Sequence, residues 1–173
     1  AASVAHLAGA SPRSIAQGLA AYTVAGHRGA VIHEHSGISF IDNSKATNPH
    51  AADAALKGLN SVVWIAGGQL KGAEVDGLVA KHAAQIKAAV VLGADRQEIA
   101  QALAEHAPHA PVDVIESNEP AAAMNAAVDA ALQHAEAGDT VLLAPAAASL
   151  DMYTGMAQRG DVFAAAAREL TRK

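Results

Sequence analysis

The sequence predicts an α/β fold: a Rossmann-like, mostly parallel sheet with helices on both faces and one antiparallel hairpin near its start. Three observations predict it. Apolar runs of buried-strand length recur at residues 62–66, 88–92 and 140–143. Segments with apolar residues at helical spacing separate them. The alternation then repeats along the chain, which implies parallel strands covered on both sides.

Residues 2–7 are apolar and helix-compatible. Ser11 can cap and Pro12 can open a second helix, with Ile15, Leu19 and Tyr22 on one face. Residues 23–26 read as a connector. Residues 30–33 and 38–41 flank Ser36-Gly37 as a hairpin, in which His33 and His35 are expected to be exposed. Asn48 caps and Pro49 starts a helix that runs to Leu56 and stops at Gly58. After strand 62–66, Val75, Leu78, Val79, His82 and Ile86 keep helical spacing. Strand 88–92 leads to a helix over 97–106, which ends before Pro108, and then to a short strand over 112–115. Pro120 lies near the start of a longer helix with Met124, Ala127, Val128, Ala131 and Leu132 facing inward and Gly138 closing it. Strand 140–143 is the last. Val162, Phe163, Ala166, Ala167 and Leu170 mark a terminal helix over 161–170.

The core must be built from small side chains, since 51% of the 173 residues are hydrophobic but only 3% are aromatic. That length suits one compact domain, with or without a short appendage. A net charge of −5 with no Lys/Arg run argues against nucleic-acid binding. The absence of cysteine excludes disulfides and Cys-ligated zinc and fits a reducing compartment. No apolar run reaches the roughly 20 residues of a membrane span, and no signal-peptide layout is present. A soluble, cytoplasmic protein without membrane contact is expected. The chain opens at Ala1 on helix-like sequence, which reads as an excised fragment.

Three segments carry chemistry. The first, residues 41–49, packs Asp42, Asn43, Ser44, Lys45, Thr47 and Asn48 between an apolar strand and a capped helix. Ligands bind at such a junction in open α/β sheets, and a helix start suits anions. In the second, Gly67-Gly68-Gln69-Leu70-Lys71-Gly72, glycines let backbone approach a ligand and Lys71 supplies a point charge. The third runs from Ala144 to Asp151; in isolation its Ser149 reads as the cap of a short helix, with Met152 and Tyr153 as packing residues. The chain has no Walker A loop and no G-x-G-x-x-G after a strand. Its nine histidines offer no metal-ligand pair apart from His33 and His35, so no metal site is expected.

Taken together these motifs resemble the C-terminal domain of the Mur ligase family, and within it the D-glutamate-adding members. The resemblance rests on Ser44-Lys45-Ala46-Thr47-Asn48, on Gly67-Gly68 with Lys71-Gly72, on residues 145–151, and on Arg159-Gly160-Asp161 before Phe163; it runs from His27-Arg28 to the end. It implies residues 1–24 as the helical tail of the family's central domain with a connector, and 25–173 as the C-terminal domain. The reaction implied is ATP-dependent amide formation through an acyl phosphate of UDP-N-acetylmuramoyl-L-alanine, in peptidoglycan precursor synthesis.

By motif position the resemblance assigns Thr47 and Lys71 to the α-carboxylate of D-glutamate, Ser149 to its side-chain carboxylate with Leu150 beside it, and Lys45 to the reacting centre. Arg28 and Asn43 would touch the nucleotide; the family usually has aspartate at Asn43, and Asp42 would point the other way on an extended strand. Met156 replaces a usual aromatic and Ala147 a common cysteine. ATP and Mg²⁺ are implied for the full-length enzyme, with neither held by this chain alone, and a monomer is expected. Two other readings stay open: a stand-alone binding module for an anionic metabolite, and another amide ligase such as a folylpolyglutamate synthetase.

Overall fold

A computed structural model describes residues 2–21 and 26–172. Two short helices, α1 (Ala2–Leu7) and α2 (Pro12–Ala20), open the chain. Ser11 caps α2 by accepting from the Ser14 amide at 3.1 Å. Tyr22 and residues 23–25 of the expected connector lie outside the described residues.

Among the described residues, six strands form one sheet: β1 (Ala30–His35), β2 (Ile38–Asp42), β3 (Val62–Gly67), β4 (Ile86–Leu92), β5 (Val112–Val114) and β6 (Thr140–Leu143). Their order is β1-β2-β6-β3-β4-β5. Of these strand pairs, β1–β2 is antiparallel and the other four are parallel. The period-2 pleat sorts each strand's side chains onto two faces. Val62, Trp64 and Ala66 of β3 and Leu142 of β6 face one core, covered by α3 (Pro49–Leu56), α4 (Asp76–His82) and α5 (Arg96–His106). Val63 and Ile65, with Val141 and Leu143, face the other, covered by α6 (Pro120–His134) and α7 (Met156–Leu170). Trp64 is fully buried, and its indole N–H donates to the Ala144 carbonyl at 2.8 Å, so the largest core side chain leaves no orphan donor.

Several expected boundaries move. The helical spacing that reached Ile86 ends at His82; a 3₁₀ turn (Ala83–Gln85) follows, and Ile86 pairs with Val62 in the sheet. The i, i+4 match of Ile86 was coincidental, and ladder pairing wins. Helix α7 begins five residues earlier than its apolar stripe suggests, at Met156. The inward positions of its first turns are Arg159 and Gly160, which break the apolar pattern while being buried. Helix α6 ends at His134, and Gly138 instead turns the chain into β6, its amide donating to the Gly37 carbonyl at 2.9 Å. His35 is exposed as expected, but His33 is half-buried, its Nε2 2.7 Å from Thr171 Oγ1 beyond the end of α7.

Candidate functional site

The three chemistry-bearing segments follow β2, β3 and β6, which are neighbours in the order β2-β6-β3. Their loops therefore leave the same edge of the sheet side by side. Backbone bonds extend the ladder into them: the Asn43 amide donates to Leu143 and the Gly67 amide to Pro145, each at 2.8 Å. Beyond the strands, Gln69 and Ala148 form an isolated antiparallel bridge, exchanging bonds of 2.8 and 2.9 Å. That bridge sets the loop of Lys71 beside the loop of Ser149.

A buried arginine ties all three loops. Arg159 reaches down from α7 and is 1% exposed. Its Nε donates to Ser44 Oγ at 3.0 Å and one terminal nitrogen to the Ser44 carbonyl at 2.9 Å; the other reaches the Gly67 and Ala147 carbonyls, each at 3.2 Å. The Ser44 hydroxyl donates in turn to the Met156 carbonyl at 2.7 Å. Burial pulls the guanidinium down to about 10, opposed by Tyr153, Asp151 and Asp42, so it stays charged at neutral pH. Burial likewise pushes the Tyr153 phenol up to about 12, leaving it a neutral donor to the Pro120 carbonyl.

On one side of this tie, Arg28, Asn43 and Lys45 share a cavity of about 590 Å³, floored by Ile41, Ala46, Ala51, Ala55 and Leu59. Next to Arg28 in the chain, His27 has its Nδ1 2.6 Å from Asp42 Oδ2, while the Ser44 amide donates to Asp42 Oδ1 at 2.9 Å. Asp42 is buried and turned toward His27, away from the cavity, so the pleat presents Asn43 to the cavity as expected. The cavity's polar side chains are two cations and a carboxamide. With no carboxylate in its lining among the described residues, it fits an anionic ligand and does not fit magnesium.

The other four expected site residues are not in that lining. Thr47 is half-buried at the start of α3, where Asn48 Oδ1 accepts from the Ala51 amide at 2.9 Å. Lys71 is exposed and holds φ at 56°, a left-handed conformation uncommon outside glycine. Ser149 is 4% exposed and Leu150 64% exposed. The expected short helix after Ser149 is a turn: the Met152 and Tyr153 amides both donate to the Ser149 carbonyl, not to its hydroxyl. The glycines also act differently from the expectation. A Cβ on Gly67 would collide with the Leu92 carbonyl, and one on Gly68 with the Ala148 carbonyl, so both spaces are filled by the protein's own backbone. Gly72, by contrast, faces open space.

Sequence reasoning missed the role of Arg159. The available signal was a charged residue four positions before Phe163, on the face that packs the core. It also missed a small cluster in which Asp76, Glu105 and His106 bring ligand atoms within 4.8 Å of one another at the surface. There His106 Nε2 lies 3.1 Å from Asp76 Oδ1.

Residues 27–147 match the family described as Mur ligase, glutamate ligase domain. The chain belongs to the Mur ligase family. Its curated relatives include proteins named UDP-N-acetylmuramoylalanine–D-glutamate ligase. That of Corynebacterium efficiens is 62% identical over 166 residues, covering 96% of this chain and 35% of the relative. That of Corynebacterium jeikeium is 54% identical over 163 residues, covering 94% and 32%. The chain thus spans about a third of the length of these Mur ligases. Among solved structures, MurC from Thermotoga maritima superposes with a TM-score of 0.61 at 13% identity, covering 99% of this chain and 36% of that one. Folylpolyglutamate synthase from Mycobacterium tuberculosis, complexed with ADP, gives 0.57 at 22% identity, covering 95% and 36%. These two likenesses show a shared fold.

Proposed function

We propose that this chain is the C-terminal, D-glutamate-binding part of a cytoplasmic, monomeric ligase that uses ATP to join D-glutamate to UDP-N-acetylmuramoyl-L-alanine in peptidoglycan precursor synthesis. The observation that carries this reading is 62% identity, over 96% of the chain, to a relative named for that reaction. Residues 1–24 are the tail of the preceding domain and 25–173 the amino-acid-binding domain.

The geometry supports a division of labour. Arg28 and Asn43 contact the nucleotide at the cavity, where charge-assisted hydrogen bonds favour phosphate. Lys45, in the same lining, lies nearest the reacting centre, where positive charge steadies the negative charge that builds on the attacked carbonyl. Thr47, on the Lys45 loop, and Lys71, across the Arg159 tie, hold the α-carboxylate of D-glutamate and Ser149, beside Leu150, its side-chain carboxylate. The glutamate amine then displaces phosphate from the acyl phosphate of the muramoyl substrate, and the amide forms as phosphate leaves. Phosphoryl transfer needs a phosphate-cradling loop and magnesium ligands, and the cavity lining offers neither. ATP, Mg²⁺ and the muramoyl substrate are therefore held largely by the rest of the full-length enzyme.

The test compares the full-length protein with the 173-residue chain, each given ATP, UDP-N-acetylmuramoyl-L-alanine and labelled D-glutamate. The full-length protein should form the amide and release ADP and phosphate, and the chain alone should do neither. Amide formation with L-glutamate in preference to D-glutamate, or turnover of a folate in its place, would overturn the reading.

A further inference from the structure

We infer that Arg159 is the positioning residue that sets the spacing between the nucleotide-side loop and the two amino-acid loops. The inference rests on the proposed placement of D-glutamate, and adds to it a residue that touches no substrate. Three facts carry it. Arg159 is almost wholly buried, yet its partners are Ser44 and the main-chain carbonyls of Gly67 and Ala147, one from each loop. No carboxylate lies within salt-bridge distance of it among the described residues, so the side chain is not explained as half of a buried ion pair. The second loop also packs close against it: a Cβ on Gly68 would meet the Ala148 carbonyl first and lie 3.3 Å from the Arg159 terminal nitrogen.

A planar guanidinium is suited to this task because its five donors have fixed directions. One rigid group thereby braces all three chain segments at once, in addition to the Gln69–Ala148 bridge that joins two of them. Lys71 is four residues past Gly67, Ser149 two past Ala147, and Lys45 next to Ser44. An ammonium can point at one or two of these carbonyls but cannot reproduce the fork. Lysine at this position keeps the charge and loses the geometry. A shift of about 1 Å in a substrate-holding group can cost on the order of a hundredfold in rate.

Arg159→Lys and Ser44→Ala in the full-length ligase separate positioning from bulk stability. Hydrogen exchange should show faster exchange in peptides covering residues 43–47, 67–71 and 146–150, with the β3 and β4 strands unchanged. The D-glutamate KM should rise tenfold or more in Arg159→Lys and less in Ser44→Ala, while the ATP KM moves less than threefold. Unchanged exchange in the three loops, or equal loss across strands and loops, would overturn the positioning role. Faster loop exchange with an unchanged D-glutamate KM would leave the tie standing and remove glutamate from these loops, which is the failure of the functional reading instead.

Discussion

His27 and Asp42 meet at 2.6 Å in space that only a glycine on α7 leaves free. A Cβ on Gly160 would collide with His27 Nδ1 and lie 2.6 Å from Asp42 Oδ2. Asp42 also accepts from the Ser44 amide, and the Lys45 amide donates to the His27 carbonyl at 3.0 Å, so this pair anchors the loop that carries Lys45. Helix propensity alone would favour Gly160→Ala by up to about 1 kcal/mol. Overpacking a closed site costs about 1–3 kcal/mol and should dominate, because the obstructing pair is itself held at both ends. Chemical denaturation of Gly160→Ala should show a net loss of stability, together with a raised ATP KM in the full-length enzyme. A variant as stable as the parent would show that His27 can move aside freely.

Lys71→Ala should raise the D-glutamate KM, lower kcat, or both, by tenfold or more, since a charge-assisted bond contributes about 1.5–3 kcal/mol. Lys71 is exposed, so the melting temperature should hold. Its left-handed backbone adds a control: Lys71→Gly removes the same charge while relieving φ, and should be at least as stable as Lys71→Ala. Early melting of Lys71→Ala with all three substrates equally affected would make Lys71 structural.

Arg28→Ala should weaken ATP use while sparing D-glutamate, because Arg28 lines the cavity with Asn43 and Lys45 and that lining excludes Lys71 and Ser149. Steady-state kinetics with each substrate varied in turn would check this. An unchanged ATP KM and turnover would take the nucleotide away from the cavity.

Asp53 joins α3 to α4 by accepting from Lys81 at 2.6 Å and His82 at 2.7 Å, and it also accepts from Lys57 at the end of its own helix at 3.2 Å. Hydrogen bonds from Lys81 and His82 hold its carboxyl well below the ordinary range against some desolvation. Because the folded-state value is the lower one, this stabilisation is present above the unfolded value of about 3.9 and is lost as pH falls below it. Asp53→Asn should therefore flatten the acid limb of the stability profile below about pH 4. An acid limb identical to that of the parent would show that other carboxylates govern it.

What the sequence revealed was local. The cap at Asn48-Pro49, the uninterrupted apolar run of β3 and the turn at Ser36-Gly37 are each written in a few adjacent residues, and each formed where expected. The first turns of α7 were hidden because burying a charge and a glycine contradicts the apolar stripe that marks a helix. Arg159 could not be read as a link between loops, since its partners are one serine hydroxyl and three carbonyls, which every residue possesses, at positions as far as 115 residues away. The glycine pair misled for a related reason. Sequence shows that side chains are absent at Gly67 and Gly68, and only the fold shows that neighbouring backbone, not a ligand, takes the space.

The two outer strands bear on a different property, how the protein behaves when crowded by copies of itself. An open sheet edge offers free amides and carbonyls to any passing strand. On β1 the register slips between Val31 and His33, and the exposed residues Glu34 and His35 follow, so no long flat run of free backbone is offered although Val31 is 56% exposed. On the opposite edge, β5 is only three residues long. One edge is kinked and the other is short. A sheet bounded in this way is a poor template for strand addition, and the domain can leave both sheet edges uncovered without inviting aggregation along its flanks.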